Sequence, residues 1–244
     1  MVQEFKTEFY QVELMPDTDD LPRVEAVEKA LSVLEAFSVT KQELTLTEIA
    51  EETGLYKSAV LRLAGSLERY GYLKRREDRK YCLGPSLWRL GSLYRKKFDL
   101  GEVIRPALRA LVDATNQTAS LYVIDRDEML CLYRENSPDP ICHYLDEGAR
   151  FPLQFGAPGH VLSLFGNRDP MAAKRVDAKG ISVSVGEKNA QLGAVSIALL
   201  DRQQKLHGAL TVSGPVFSFD EAERTRAADL LIETAKRLSW LLSG

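Results

Sequence analysis

The sequence predicts an α+β fold with a helical N-terminal part and a C-terminal part dominated by strands. Three observations predict it. Residues 44–84 contain two short helical apolar patterns followed by a basic hairpin pattern. After Asn116 the apolar period changes from about 3.6 residues, typical of helices, towards about 2, typical of strands. Residues 219–242 return to a helical pattern, and strands flanked by helices are typical of an α+β domain.

The first of the two short helices is expected to begin at Thr45 and to end at Gly54. Thr45 stands three residues before Glu48, the spacing of a capping box, in which the hydroxyl and the carboxylate each accept from an N–H group at the start of the helix. Apolar residues at helical spacing give each helix one face to bury. They are Leu46, Ile49 and Ala50 in the first helix and Val60, Leu63 and Leu67 in the second.

The second helix is expected to end at Gly71 and to be followed by a hairpin with strands Tyr72–Lys74 and Lys80–Leu83. Helix, turn, helix and hairpin, in that order, are typical of a winged helix-turn-helix, which binds duplex DNA. An ordinary helical hairpin with a charged loop would share the apolar pattern. Charge favours DNA binding, because residues 54–80 carry eight basic and three acidic side chains while the whole chain has a net charge of −3.

Four residues near the start of the second helix are expected to face the major groove, and three arginines of the hairpin are expected to contact phosphates. The groove residues are Lys57, Ser58, Ala59 and Arg62, and the hairpin residues are Arg75, Arg76 and Arg79. The Arg62 guanidinium can bond O6 and N7 of guanine, with a phosphate contact as the alternative. A second hypothesis for the whole chain is a small-molecule sensor whose winged domain docks protein rather than DNA.

The sequence predicts a cytoplasmic protein from the lengths of its apolar runs. It predicts no enzymatic activity, because catalytic motifs are missing. In 244 residues no apolar run approaches the roughly 18 to 20 residues of a membrane span, and the N-terminus lacks the pattern of a signal peptide. Cys82, Cys131 and Cys142 have neither an even count nor a metal-ligand spacing, so we expect no disulfide framework, metal or cofactor. Sequence motifs of nucleophilic, phosphate-binding and metal-dependent catalysis are missing.

Charge and helix breakers divide the chain into four segments. The predicted segments are a flexible acidic extension at 1–22, a winged helix-turn-helix at 23–84, a linker helix at 85–98 and a second domain at 99–244. The linker helix opens at Pro85 and carries an apolar stripe that it must bury. We therefore expect dimerisation through residues 24–37 and 87–98.

The second domain is expected to open with the amphipathic helix Leu100–Thr115. Two hairpins should follow, with strands Ala119–Ile124 and Met129–Tyr133 in the first and Ala194–Leu200 and His207–Ser213 in the second. A last helix is expected to begin at Ser218 or Asp220. Its predicted apolar positions are Ala222, Leu230, Leu231, Ala235, Leu238 and Leu242.

Several ordered motifs resemble the isocitrate lyase regulator (IclR) family of bacterial transcription factors. They are Arg23–Phe37, Leu46–Ala50, Lys57–Leu63, Leu67–Leu73 and Tyr81–Pro85, followed by Pro152–Leu153, Gly156–Gly159, Leu192–Gly193 and Val212–Pro215. The resemblance covers nearly all of residues 23–244. It implies a GAF/PAS-like effector-binding and oligomerisation domain, a homodimer or dimer of dimers, and double-stranded operator DNA with a palindromic or near-palindromic sequence.

The resemblance also implies an effector pocket between the sheet and a loop at Phe155–Gly159. Its candidate residues are Tyr144, Phe151, Ala157, Pro158, Glu187, Ala194, Ser196, Thr211 and Ser213. Thr211 and Ser213 share one strand face and offer two hydroxyls to a carboxylate, with Tyr144 and Phe151 as apolar walls. Local bonding of these hydroxyls to the backbone is the alternative. We expect a carboxylate effector, aromatic or larger than a small keto acid.

This chain departs from the family pattern in three places. His160 stands where the family usually has lysine, and Ala59 where the recognition helix usually has threonine. The segment between Phe165 and Ile181 is shorter than usual by a couple of dozen residues, which is expected to alter the pocket rim or subunit contacts.

Overall fold

The protein, described by a computed structural model, contains two units, residues 1–92 and 93–244. The described residues are 22–38, 40–97, 100–142, 144–187 and 189–242. The expected acidic extension therefore lies outside the described residues, except for its last position.

The first unit has the order helix, strand, two helices and a two-stranded hairpin. Its elements are α1 (Glu25–Glu35), β1 (Glu43–Leu44), α2 (Leu46–Thr53), α3 (Lys57–Arg69), β2 (Leu73–Arg75) and β3 (Tyr81–Leu83). The apolar faces of the three helices meet in one core around Val33, Ile49, Val60 and Tyr81. The predicted winged helix-turn-helix is confirmed.

Strand β1 was not predicted. It pairs antiparallel with β3, Glu43 opposite Cys82 and Leu44 opposite Tyr81, and so adds a third strand to the hairpin. Two residues are too few to show an alternating apolar pattern, which is why the sequence carries no signal for it.

The predicted capping box at the start of α2 is confirmed. The Glu48 N–H donates to Thr45 Oγ1 over 3.3 Å, and the Thr45 N–H donates to Glu48 Oε2 over 2.7 Å. The N–H and hydroxyl of Thr45 lower the pKa of the Glu48 carboxyl, because both donate to its charged form. Helix α2 ends at Gly54 as expected.

Helix α4 (Pro85–Lys97) matches the predicted linker helix. Its side chains are described as far as Leu93, and Trp88 and Leu93 on it are exposed. In α1, Val27 and Leu31 are exposed as well. Large apolar side chains in these two helices thus lack cover from the part of the chain that the structure describes.

The second unit is an antiparallel sheet between helices. Its elements are α5 (Leu100–Thr115), β4 (Thr118–Asp125), β5 (Glu128–Glu135), β6 (Arg150–Pro152), α6 (Gly156–Phe165), a 3-10 helix (Pro170–Arg175), β7 (Ile181–Val185), β8 (Leu192–Leu200), β9 (Leu206–Pro215) and α7 (Glu221–Leu241). The strand order is β6-β5-β4-β9-β8-β7. Helix α5 has the predicted bounds, and both predicted hairpins are present.

Helices α5 and α7 cover one face of the sheet, and α6 covers the other. Helix α7 is capped by the Asp220 carboxylate and buries Leu231, Ala235 and Leu238, as expected. The prediction was wrong at Ala222, which is exposed at the start of the helix; Ala227, which was not predicted, is buried instead. The segment Phe155–Gly159 is also not a loop, because Gly156 begins α6.

Within the described residues, the structure contains no helix long and apolar enough to cross a membrane. All three cysteines are free, and burial raises the pKa of the Cys131 thiol to about 11.

Candidate DNA-binding surface and effector pocket

Helix α3 presents one polar face to solvent and buries the other. Val60, Ala64 and Leu67 pack into the core, which leaves an exposed stripe opposite them. The stripe contains Lys57, Ser58, Leu61, Arg62, Gly65, Ser66 and Arg69. Three of the four predicted groove residues therefore lie on this stripe, and Ala59 is half-buried at its edge. Leu61, missed by the sequence reasoning, exposes 48% of its surface there.

The three predicted wing arginines are all exposed but have different neighbours. Arg76 forms a salt bridge with Glu43 of β1, which the sequence could not show because β1 was not predicted. The Arg75 guanidinium lies over the Tyr81 ring, 5.6 Å from its centroid. Arg79 occupies the turn between β2 and β3. The Arg76 charge is thus partly neutralised within the chain.

A cleft lies on the α6 face of the sheet, with about 580 Å³ of empty space when the solvent at its open mouth is included. Among the described residues, six of the nine predicted pocket residues line it. They are Phe151, Pro158, Glu187, Ala194, Thr211 and Ser213.

The other three predicted pocket residues do not line the cavity. Tyr144 is 69% exposed and donates its hydroxyl hydrogen bond to Asp146, so it forms no wall. Ala157 is fully buried within α6. Ser196 is fully buried and hydrogen-bonds Thr211, with 2.7 Å between their hydroxyl oxygens.

Eight lining residues were not among the nine candidates, although Phe155 and Gly156 belong to the segment expected to bound the pocket. They are Tyr122, Met129, Phe155, Gly156, Ser184, Asn189, Leu192 and Gly193. Tyr122 and Met129 stand on predicted strands, but strand alternation does not say which helix or cavity covers a face. Burial raises the pKa of the Tyr122 phenol to about 12, so this side chain is a neutral hydroxyl at neutral pH.

A row of hydroxyl side chains crosses the sheet beneath the cavity. Ser182, Ser196, Thr211 and Ser120 stand opposite one another on successive strands β7, β8, β9 and β4. At one end, Arg134 Nη1 donates to Ser120 Oγ over 3.0 Å. At the other, Ser182 Oγ lies 3.1 Å from His160 Nδ1. The Thr211 hydroxyl is already hydrogen-bonded to buried Ser196 within this row.

The start of α6 explains the Gly-Ala-Pro-Gly motif in physical terms. Gly156 has a φ of +79°, which favours glycine. A Cβ at Gly159 would lie 2.3 Å from the Leu153 carbonyl oxygen, so only glycine lets the helix approach this backbone. Pro158 stands in the first turn, where a backbone N–H has no partner inside the helix.

The first two N–H groups of α6 have side-chain partners. The Gly156 N–H donates to Glu187 Oε2 over 3.0 Å, and the Ala157 N–H donates to Ser184 Oγ over 2.9 Å. A carboxylate is stabilised at this end of a helix by the free N–H groups and the helix dipole. Glu187 is therefore held at the helix start while it lines the cavity.

His160 joins Glu187 to the 3-10 helix. Its Nε2 lies 2.9 Å from Arg175 Nη1 and 3.2 Å from Glu187 Oε2. Burial lowers the pKa of His160; the charge of Arg175 adds to this effect, and the charge of Glu187 opposes it. In the neutral imidazole, a proton on Nδ1 would donate to Ser182 and leave Nε2 to accept from Arg175, whereas a proton on Nε2 would donate to Glu187.

Comparison with known proteins matches each of the two units to a domain family. The profile of the IclR helix-turn-helix domain matches residues 26–77. The profile of the C-terminal domain of the bacterial transcriptional regulator IclR matches residues 92–175 and 171–240. The HTH-type transcriptional regulator BhcR of Paracoccus denitrificans is 25% identical over 250 residues, covering 91% of this chain and 88% of the relative.

Two solved structures have similar folds. An IclR transcriptional regulator from Alicyclobacillus acidocaldarius superposes with a TM-score of 0.77 at 25% identity, covering 91% of this chain and all of the other. An IclR homolog from Microbacterium hydrocarbonoxydans, complexed with 4-hydroxybenzoate, superposes with a TM-score of 0.71 at 20% identity, covering 87% of this chain and 99% of the other.

Proposed function

Since the chain belongs to the IclR family of bacterial transcriptional regulators, and is therefore a DNA-binding regulator and not an enzyme, we propose that a small carboxylate metabolite in the cavity controls its operator binding. The observation that carries the proposal is the cavity itself. Tyr122, Met129 and Phe151 supply apolar walls, and Thr211 and Ser213 supply hydroxyls, as expected of a small-molecule site. An aromatic carboxylate, the class bound by the Microbacterium protein, suits such walls.

A ligand panel tests the effector part of the proposal. Carboxylates, with 4-hydroxybenzoate among them, would be added to the full-length protein during thermal unfolding. A ligand that binds only the folded state raises Tm with concentration. The operator-bound fraction should then change with the same ligand at the same concentrations. A panel without any ligand that alters both Tm and operator binding would contradict the proposal.

We propose that α3 enters the major groove and that the wing contacts the phosphate backbone. The test is duplex affinity as a function of salt, because each neutralised phosphate adds about 0.9 to the slope of log K against log salt. Arg79→Ala should reduce the magnitude of this slope by about 0.9, the contribution of one phosphate contact. Arg76→Ala, the control, should reduce it less because Arg76 is paired with Glu43. Weak duplex binding with no salt dependence would instead favour a protein-docking role.

We propose a homodimer, or a dimer of dimers, on a palindromic or near-palindromic operator. Support comes from the exposed apolar residues of α1 and α4, Val27, Leu31 and Trp88 among them, which a second copy would cover. Leu31→Glu and Trp88→Glu should lower the mass measured by sedimentation equilibrium. Wild-type mass equal to that of one chain would overturn this part.

A further inference from the structure

The N–H groups at the start of α6 are hydrogen-bonded to side chains of the same chain, one of them the Glu187 carboxylate. Free N–H groups at a helix start commonly bind ligand carboxylates or phosphates. Here Glu187 Oε2 accepts the Gly156 N–H, and Ser184 accepts the next one. A ligand carboxylate would have to displace both side chains to use these donors.

Glu187 also contacts the side chains of Arg175 and His160. Arg175 Nη1 lies 3.5 Å from Glu187 Oε2 and 2.9 Å from His160 Nε2, so one guanidinium nitrogen contacts both side chains. Neutral His160 adds no positive charge. The charges of Arg175 and Glu187 offset each other, so the three described side chains Arg175, His160 and Glu187 carry no net positive charge.

The other oxygen of the carboxylate has different surroundings. In the ranges the structure describes, no group donates a hydrogen bond to Glu187 Oε1, although Glu187 lines the cavity. The described lining residues also include no lysine or arginine. At its Glu187 end the cavity thus offers a charged acceptor beside the neutral side chains of Ser184 and Asn189, whereas the hydroxyls of Thr211 and Ser213 offer donors at the β9 side.

We propose that Glu187 makes the cavity selective for ligands that carry a hydrogen-bond donor, such as a hydroxyl or phenol, at the end away from their carboxylate. The inference rests on the proposed effector function and adds the chemistry of one end of the ligand. A donor group there gains a charge-assisted hydrogen bond. A second carboxylate is disfavoured, because two carboxylates in contact cannot both stay ionised without a cation between them.

The spacing across the sheet gives the ligand a length. Ser184 pairs with Ala194, which pairs with Ser213, so two strand spacings separate the Glu187 side from the Ser213 side. At about 4.8 Å per strand, the backbones lie roughly 10 Å apart before side chains reach inward. A benzene ring with substituents at positions 1 and 4 is therefore the ligand shape chosen to test a separation of this size.

Three benzoates that differ only at position 4 test the proposal. Their 4-substituents are a hydroxyl, a methyl and a second carboxylate. Ligand-observed NMR on the full-length protein measures dissociation constants into the millimolar range. We expect the hydroxyl compound to bind at least about tenfold more tightly than the methyl compound, since a charge-assisted hydrogen bond is at stake, and the dicarboxylate to bind most weakly.

Glu187→Gln removes the charge but keeps an oxygen to accept the Gly156 N–H. In this variant the dicarboxylate should gain affinity relative to the hydroxyl compound by about tenfold. Glu221→Gln, which removes a first-turn carboxylate of α7 instead, is the matched control and should keep the wild-type order.

Wild-type protein that binds the dicarboxylate or the methyl compound as tightly as the hydroxyl compound would overturn the selectivity alone. An unchanged order in Glu187→Gln would do the same. If neither protein binds any of the three, and the wider panel also fails, the effector function falls and the selectivity falls with it.

Discussion

At the scale of single residues, Arg62 decides between reading a base and positioning a helix. It lies on the exposed stripe of α3, one turn after Ser58. A guanidinium at this place can bond guanine O6 and N7 in bidentate fashion. Arg69 lies on the same stripe two turns further along, where the helix C-terminus is expected to leave the base edges.

We expect Arg62→Ala to cost about 1 to 3 kcal/mol of operator affinity and to relax preference at one base pair. The measurement is binding to a set of operators that carry each single base change. Arg69→Ala, the control, should weaken all sequences equally. An equal loss on every sequence for Arg62→Ala would show that Arg62 contacts phosphate only.

His160 gives a second prediction, on pH. Its pKa is lowered in the folded state, chiefly by burial, so the unfolded chain binds its proton more readily. This contribution to stability is complete above the unfolded pKa, near 6.5, and is lost as pH falls below that value. Between pH 7 and 5.5 the wild type should lose more stability than His160→Asn, whose amide can still donate to Ser182. Parallel loss in urea titrations would contradict the assignment.

At the scale of elements, apolar periodicity correctly predicted helices and strands that have one buried face and one exposed face. Helix α5 follows its apolar pattern to the residue because one side packs on the sheet. Helix α6 was missed because it is buried nearly all round, His160 and Ser163 included, and such a helix has no amphipathic period. Strand β7 reverses the usual pattern, since Ser182 is buried against His160 while Val183 is exposed.

The pocket was predictable to a similar extent. The resemblance placed Thr211 and Ser213 on the cavity because both belong to one strand of the motif-bearing hairpin. Tyr144 failed because it lies in an irregular segment, where sequence spacing does not fix direction in space. The contact between His160 and Arg175 depends on the 3-10 helix Pro170–Arg175, for which the sequence showed no pattern.

Gly159→Ala tests the packing of α6 on the segment before it. The added Cβ would meet the Leu153 carbonyl at 2.3 Å, and backbone on both sides must shift. We expect a loss of about 1 to 3 kcal/mol in the free energy of unfolding, together with weaker ligand binding. Gly65→Ala in α3 meets no atom within 4 Å and should gain about 0.5 to 1 kcal/mol. If calorimetry shows the same change in stability for Gly159→Ala and Gly65→Ala, the close approach of α6 to the Leu153 backbone is wrong.

At the scale of the whole molecule, an effector can change operator affinity only through a difference in its affinity for two states of the regulator. Such coupling typically amounts to about 1 to 3 kcal/mol. The cavity lies entirely within residues 93–244, whereas the DNA-binding stripe lies within residues 1–92. In the proposed dimer, bound ligand must therefore act through the arrangement of the subunits and not through a groove contact.

The variant Thr211→Val with Ser213→Ala tests this coupling. It removes two cavity hydroxyls at nearly constant volume, so the ligand carboxylate loses donors while packing is kept. Because Thr211 also bonds buried Ser196, the change should cost about 1 to 3 kcal/mol of stability. We expect operator binding to remain and the ligand-induced change in operator affinity to vanish in a DNA titration. Ser196→Ala, which breaks the same buried bond but spares both cavity hydroxyls, should be less stable than wild type yet keep the response. A double variant with a wild-type response would show that the carboxylate is bound elsewhere, while DNA binding by α3 would still stand.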